Sequence, residues 1–332
     1  MELLQWVMPW MMELPQWTLA WVVALFLVGL VFLFSGGHML VDGSSKLART
    51  LGINSMIIGL TVVALGTSMP EFLVSLVAAL RGNTDVALGN IIGSNVSNIG
   101  LILGLSALAR PIAVQLHLLR IEVPLMIAIS IYFWVICATG LELSRLDGLS
   151  LALGFIGYLV VVIAGARKGS RVHDEKFAPL RARKWPIARD VIFILLGILG
   201  LSYGATWVVN SAVEISHRVG VSELVLGLTV VALGTSLPEL ATSVVAAIKK
   251  EGDISLGNII GSNIFNMMAV AGPSALVHPL PVSEELRRNQ LPVMVALTVI
   301  LLPLLRTGRK ISRLEGAFLL VSYCIIVVWW TL

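Results

Sequence analysis

Charge is what this chain of 332 residues has least of: Asp, Glu, Lys and Arg make up 13%, against 57% for hydrophobic residues. A soluble domain carries about 25% charge, so a surface that faces water along the whole chain is excluded. Cysteine is scarce too. Cys137 and Cys324 fall in different apolar runs without metal-ligand spacing and read as small packing residues. The five histidines are scattered, and no HExxH, P-loop or dinucleotide fingerprint occurs. The chemistries those motifs serve therefore have no support here, and neither an enzyme nor a resident cofactor is expected. The first twenty residues hold Glu2 and Glu13 but no Lys or Arg. A secretory leader needs a basic start, so this segment reads as an uncleaved tail whose Trp6, Trp10 and Trp17 suit the headgroup region.

What is abundant is apolar sequence in long runs. They cover roughly 17–38, 52–79, 86–108, 121–140, 147–166, 187–209, 221–248, 254–277, 291–305 and 312–331, and runs of about twenty such residues are membrane-helix candidates. A β-barrel would show alternating segments of about ten residues instead. The expected fold is an all-α integral membrane protein of ten transmembrane helices, multi-pass in a prokaryotic cytoplasmic (inner) membrane. The formal charge of +4 is a topology signal with no bearing on nucleic acid. With the N-terminus outside, only Arg81, Arg145, Arg218, Arg287 and Arg288 of the 23 Lys and Arg fall outside. That asymmetry satisfies the positive-inside rule and puts both termini outside.

The chain repeats itself at a single offset of 168 residues. GLTVVALGTSMPE at 59–71 returns as GLTVVALGTSLPE at 227–239, and GNIIGSN at 89–95 returns at 257–263. SRLDG at 144–148 matches SRLEG at 312–316, Gly36 meets Gly204, and Asp42 meets Asn210. Residues 1–166 form a first five-helix repeat with its tail, 167–186 a basic cytoplasmic linker, and 187–332 a second repeat. Five is odd, so the second repeat enters the membrane from the opposite side. Inverted repeats of this kind place a substrate site near the midplane of secondary transporters.

The best-preserved positions are polar ones inside apolar runs. In TVVALGTSMPE, glycine tolerates irregular backbone and proline frees carbonyls in the preceding turn. The helix is expected to break near Leu65–Met69 and restart at Pro70. Glu71 then sits in the first turn of the second half-helix, with Thr67 facing the same way four residues earlier; Thr235 and Glu239 repeat the arrangement. An intramembrane carboxylate is costly and marks a site. In GNIIGSNVSN, Ser94 and Asn98 share a face, as do Ser262 and Asn266, with helix–helix hydrogen bonding as their competing role. Two carboxylates with neutral oxygens select a hard cation, and Ca2+ accepts six to eight flexible oxygen ligands where Mg2+ demands a tight octahedron. Without Ca2+ the two charges need replacement by Na+ or H+, which is the basis of an exchange mechanism.

These motif pairs resemble the two α-repeats of the sodium/calcium exchanger branch of the calcium/cation antiporter superfamily, in particular its small prokaryotic members. The resemblance implies that Glu71 and Glu239 are the central Ca2+ and Na+ ligands. It adds Thr67, Thr235, Ser68, Ser236, Ser94 and Ser262 around them, the backbone carbonyls of Ala64 and Ala232 for Na+, and Asn98 and Asn266 to complete the centre. It also implies that the first and sixth spans slide past the other eight. Many members carry aspartate where this chain has Asn266, which leaves the counter-ion open. The expected function is Ca2+/Na+ antiport, with H+/Ca2+ or K+-dependent exchange as alternatives and a cation channel as the reading from another class. One chain holds the whole site, so the lipid bilayer and the transported ions are its only required partners.

Overall fold

The computed structural model describes residues 19–173, 184–219 and 232–331. The chain forms helices α1 (Leu19–Leu51), α2 (Ser55–Thr67), α3 (Met69–Leu80), α4 (Thr84–Ala109) and α5 (Leu118–Gly140), then α6 (Arg145–His173). After residues 174–183 come α7 (Lys184–Val219), α8 (Ala232–Thr235), α9 (Leu237–Ile248), α10 (Gly252–Val277), α11 (Leu286–Arg309) and α12 (Arg313–Thr331). Eight described helices are long and apolar enough to cross a membrane, and the bent pair α2–α3 makes a ninth. The expected span 221–248 begins in residues outside the described ones; α8 and α9 are the part of it that is described.

α1 and α7 outrun their apolar windows the furthest. α1 continues from the expected 38 to Leu51 and α7 from 209 to Val219. Backbone hydrogen bonding does not require apolar side chains, so the helix persists where the hydropathy run stops. α1 ends at Gly52, whose φ of 66° is readily reached only by glycine, with Ile53 N–H closing onto Ala48 O at 3.0 Å in the manner of a helix C-cap. Beyond its apolar part, α1 is clipped to the turn between α9 and α10. Lys249 meets Asp42 at 2.6 Å, Arg49 meets Glu251 at 3.0 Å, and Ser45 donates to Glu251 at 2.7 Å.

The 168-residue offset is visible in the contacts. Four two-residue strands, β1 (Ile112–Ala113), β2 (Glu142–Leu143), β3 (Leu280–Pro281) and β4 (Lys310–Ile311), form two antiparallel pairs. Ile112 pairs with Ile311, and Leu143 with Leu280, so each half's first strand pairs with the other half's second. Glycine crossings exchange in the same way: Gly104 lies against Gly316 and Gly148 against Gly272, while Gly36 lies against Gly197 and Gly29 against Gly204. The SRLDG and SRLEG repeats open α6 and α12 as reciprocal caps. Ser144 Oγ donates to Asp147 at 2.6 Å and Ser312 Oγ to Glu315 at 2.7 Å, and each acid's backbone N–H donates back to its serine.

Burial separates centre from periphery. Few residues are buried in the most apolar stretches of α1, α6 and α12, whereas 78% of the α4 stretch and all of the α10 stretch are buried. The two helices that carry GNIIGSN are therefore surrounded by protein. Buried apolar residues fall into two clusters. The larger is centred on α4, α5, α10 and α11; the smaller is built chiefly from α1 and α7, with Ile58, Val63, Val245, Ala246 and Ile254 where they touch the rest.

Candidate cation-binding site

The repeated stretch does break. α2 and α3 meet at 47°, and the residue between them, Ser68, has φ −85° and ψ 10°. Ser236, between α8 and α9, has φ −87° and ψ 4°. The helix resumes one residue earlier than expected, at Met69, with Pro70 in its first turn. Proline has no N–H, so Pro70 and Pro238 cannot bond the carbonyls of Gly66 and Gly234. An irregular turn at this depth is tolerated only where protein or a water-filled cavity covers it, and Ser68 and Ser236 are both buried.

Glu71 and Glu239 follow within the first turns of α3 and α9, each 1% exposed. Among the described residues neither carboxylate has a Lys, Arg or His partner. Their bonds cross between the halves. Ser68 Oγ donates to Glu239 Oε1 at 2.7 Å and also meets Ser262 Oγ at 2.9 Å. In the mirrored arrangement, Ser236 Oγ donates to Glu71 Oε1 at 3.2 Å and meets Ser94 Oγ at 3.4 Å. Thr67 stands beside Glu239, and Thr235 beside Glu71. The break re-aims each Thr-Ser pair: Thr67 and Thr235, expected to face the glutamate of their own motif, stand beside the opposite one, and the neighbouring serines bond it.

Ser94 and Asn98 lie one turn apart on α4, as Ser262 and Asn266 do on α10, and all four are buried. Asn98 and Asn266 each open a five-residue π turn, 98–102 and 266–270. Such wide turns recur at functional sites, and the 3.6-residue period does not announce them. Asn95 and Asn263 turn away, each bonding the carbonyl four residues back in its own helix. Ala64 O accepts Ser68 N–H at 3.0 Å and lies 3.4 Å from Thr67 Oγ1, so its lone pairs are engaged by its own turn. Ala232 opens α8.

What remains among these residues is buried oxygen without partners. Glu71 Oε2, Glu239 Oε2, Asn98 Oδ1 and both polar side-chain atoms of Asn266 are buried and have no hydrogen-bond partner among the described residues. Buried acceptors are rarely left so, because desolvating one without a partner costs about 1–3 kcal/mol. Four carboxylate and amide oxygens with no imidazole or thiolate suit a hard cation. Two residues escaped the sequence reading. Asn90 Oδ1 accepts from Thr235 at 3.4 Å, and Asn258 Oδ1 accepts from Thr67 at 3.1 Å. They are the second letters of the two GNIIGSN copies, four residues before Ser94 and Ser262 on the same helix face; that spacing was the available signal.

Comparison with known proteins gives the family. The model of the sodium/calcium exchanger protein family matches twice, over residues 21–164 and 190–332, once in each half. Inner membrane protein YrbG of Escherichia coli is 40% identical over 283 residues, covering 83% of this chain and 86% of its own. Sodium/calcium exchanger MaX1 of Methanosarcina acetivorans is 33% identical over 338 residues, covering 92% and 97%. A solved structure of the sodium-calcium exchanger NCX_Mj superposes with a TM-score of 0.82 at 33% identity, over 94% of this chain and 99% of that one. The family is one of exchangers, which are transporters and not enzymes. Two matches of one family model, relatives aligned over most of their length and a shared solved fold lead to the same conclusion: this chain is a multi-pass membrane protein of the sodium/calcium exchanger family.

Proposed function

We propose that the chain is a secondary antiporter of ten membrane helices in two inverted five-helix repeats, and that it exchanges Ca2+ for Na+ by alternating access. The observation that carries this reading is the crossed pair of carboxylates. Each is bonded through one oxygen to a serine of the opposite half, and each keeps its second oxygen buried and without a partner among the described residues. Two negative charges that face one centre favour a divalent cation, and its departure leaves a charge deficit that other cations must fill. That deficit couples the two fluxes. The exchange of partners between halves in the strands and glycine crossings supports the inverted repeat. The separate α1–α7 cluster supports a pair that slides as a unit against the rest.

In proteoliposomes, an outward Na+ gradient is expected to drive 45Ca2+ uptake against a Ca2+ gradient. Uptake that follows only a pH gradient selects protons as counter-ion, and flux that no counter-ion drives uphill selects a channel.

Orientation follows from the charge asymmetry: residues 167–189 are cytoplasmic and both termini lie outside. In a background lacking Cys137 and Cys324, Ser170→Cys is expected to resist impermeant thiol reagents in intact cells; ready labelling reverses the topology. Asn266→Asp places a third carboxyl among buried oxygens. It is expected to tighten cation binding or change the Na+ Hill coefficient while exchange continues. Complete loss of exchange in this variant contradicts that expectation.

A further inference from the structure

One end of α1 makes contacts that play no part in the polar centre. Lys249 Nζ donates to Asp42 at 2.6 Å, and Glu251 Oε1 accepts from Ser45 Oγ at 2.7 Å and from Arg49 at 3.0 Å. Lys249 and Glu251 sit on the turn between α9 and α10, which its own backbone holds in shape. Lys250 there has φ 68°, and Glu251 N–H closes onto Ala246 O at 2.9 Å. Asp253, in the first turn of α10, is held in turn by Gln115 at 2.5 Å. The clip therefore ties α1 to a well-braced corner of the protein.

α1 is joined to its two neighbours differently. Against α7 it packs backbone to backbone: a Cβ on Gly36 lies 2.7 Å from Leu201 N, and one on Gly197 lies 2.6 Å from Leu40 N. Against α9 the approach at Gly37 is looser, 3.3 Å from a Cβ to Ala241 O. Side-chain bonds, not interlocked backbone, fasten the far end of α1 to the α9–α10 corner, and they tolerate little displacement. Ser45 Oγ stands only two bonds from its Cα, so a slide of one helical turn, about 5.4 Å, breaks its 2.7 Å contact with Glu251.

The two repeats are unequal at this place. At the offset of 168, Asp42 becomes Asn210, Ser45 becomes Val213, Lys249 becomes Arg81 and Glu251 becomes Asn83. Both acids of the clip are lost. Glu214, on the matching turn of α7, pairs within its own helix with Arg218 at 2.6 Å. In an inverted repeat the second end state mirrors the first with the halves exchanged, so the acids that fasten one state have no counterpart in the other. We propose that Asp42–Lys249 and Ser45–Glu251–Arg49 form a latch that biases the protein toward the state closed at this end. The proposal rests on the alternating-access reading above. Lys46, Arg49, Lys249 and Lys250 cluster here, which the positive-inside rule places in the cytoplasm, so the latched state opens outward.

The test removes both acids, Asp42→Asn with Glu251→Gln, and reads the Ca2+ half-saturation of Na+-driven exchange at each membrane face, in right-side-out and inside-out vesicles, together with Tm. Apparent affinity at a face scales with the fraction of protein open to it, so the ratio of inner to outer half-saturation reports the balance of the two states. That ratio is expected to fall about fivefold in the double variant, the scale of partly exposed ion pairs. Exchanging the partners, Asp42→Lys with Lys249→Asp, is expected to restore much of what Asp42→Lys alone removes. An unchanged ratio overturns the latch, whether Tm falls or both half-saturations move together, since packing or the ion site then accounts for the effect. A rise in the ratio overturns it as well. Failure of the transport reading has a different mark: wild-type vesicles in which no Na+ gradient drives Ca2+ uphill. That outcome removes the latch along with the reading, whereas an unchanged ratio in vesicles that do exchange removes the latch alone.

Discussion

Glu71→Gln and Glu239→Gln are each expected to abolish Ca2+ exchange. Glutamine keeps the shape and one acceptor oxygen but removes a full charge from a site where each carboxylate is 1% exposed. Two unit charges about 4 Å apart interact by about 4 kcal/mol at an effective dielectric of 20. Since about 1.4 kcal/mol is tenfold in affinity, losing one carboxylate costs about three orders of magnitude in Ca2+ binding. The crossed serine bonds make the two losses alike: Ser68 serves Glu239 and Ser236 serves Glu71, so neither carboxylate is peripheral. The measurement is Na+-dependent 45Ca2+ exchange together with Tm. Exchange like wild type in both variants makes the carboxylates structural. A large fall in Tm with lost exchange points to folding.

Gly261→Val is expected to be the most damaging change outside the polar centre. A Cβ at Gly261 lies 2.6 Å from Leu60 O and 2.8 Å from Ala64 Cβ, where α10 crosses α2. The first obstacle is backbone, so no rotamer relieves it and the helices must part. Small residues at membrane-helix crossings permit such close approach, and overpacking a tight contact typically costs about 1–3 kcal/mol. Separation here also displaces Ser262, the next residue, from Ser68, which it meets at 2.9 Å. A lowered Tm and loss of exchange are expected together. Gly157→Ala is the control, since a Cβ on that exposed α6 glycine meets nothing within 4 Å among the described residues. Equal stability of Gly261→Val and Gly157→Ala contradicts the packing account.

Much of the site is legible in one line of sequence because duplication writes it twice. Glycine, a Thr-Ser pair and Pro-Glu at the end of an apolar run already specify a break and a carboxylate, and the structure places that break at Ser68 within the expected interval. Helical spacing correctly puts Ser94 with Asn98 and Ser262 with Asn266. It fails where partners come from the other half. Thr67 and Glu71 look like a pair at i and i+4, yet the kink hands Thr67 to Asn258 and Glu239. Only the tertiary crossing decides which repeat a hydroxyl serves, so Asn90 and Asn258 look like ordinary amides in the sequence. The π turns that begin at Asn98 and Asn266 are invisible for a related reason: a wide turn depends on packing around the helix, and the amino acids in it are unremarkable. The apolar runs bound the central pair well, 86–108 against Thr84–Ala109 and 254–277 against Gly252–Val277, whereas they fall short for α1 and α7, because both continue as helix past their apolar runs.

The central claim is that both halves build one site, which Ca2+ and Na+ occupy in turn. Equilibrium 45Ca2+ binding to the purified chain, titrated with Na+, tests it most directly. The account predicts about one Ca2+ per chain, displaced by Na+ and lost in either glutamine variant. Two independent Ca2+ sites per chain, each surviving loss of the other half's glutamate, or bound Ca2+ that Na+ does not displace, would contradict it.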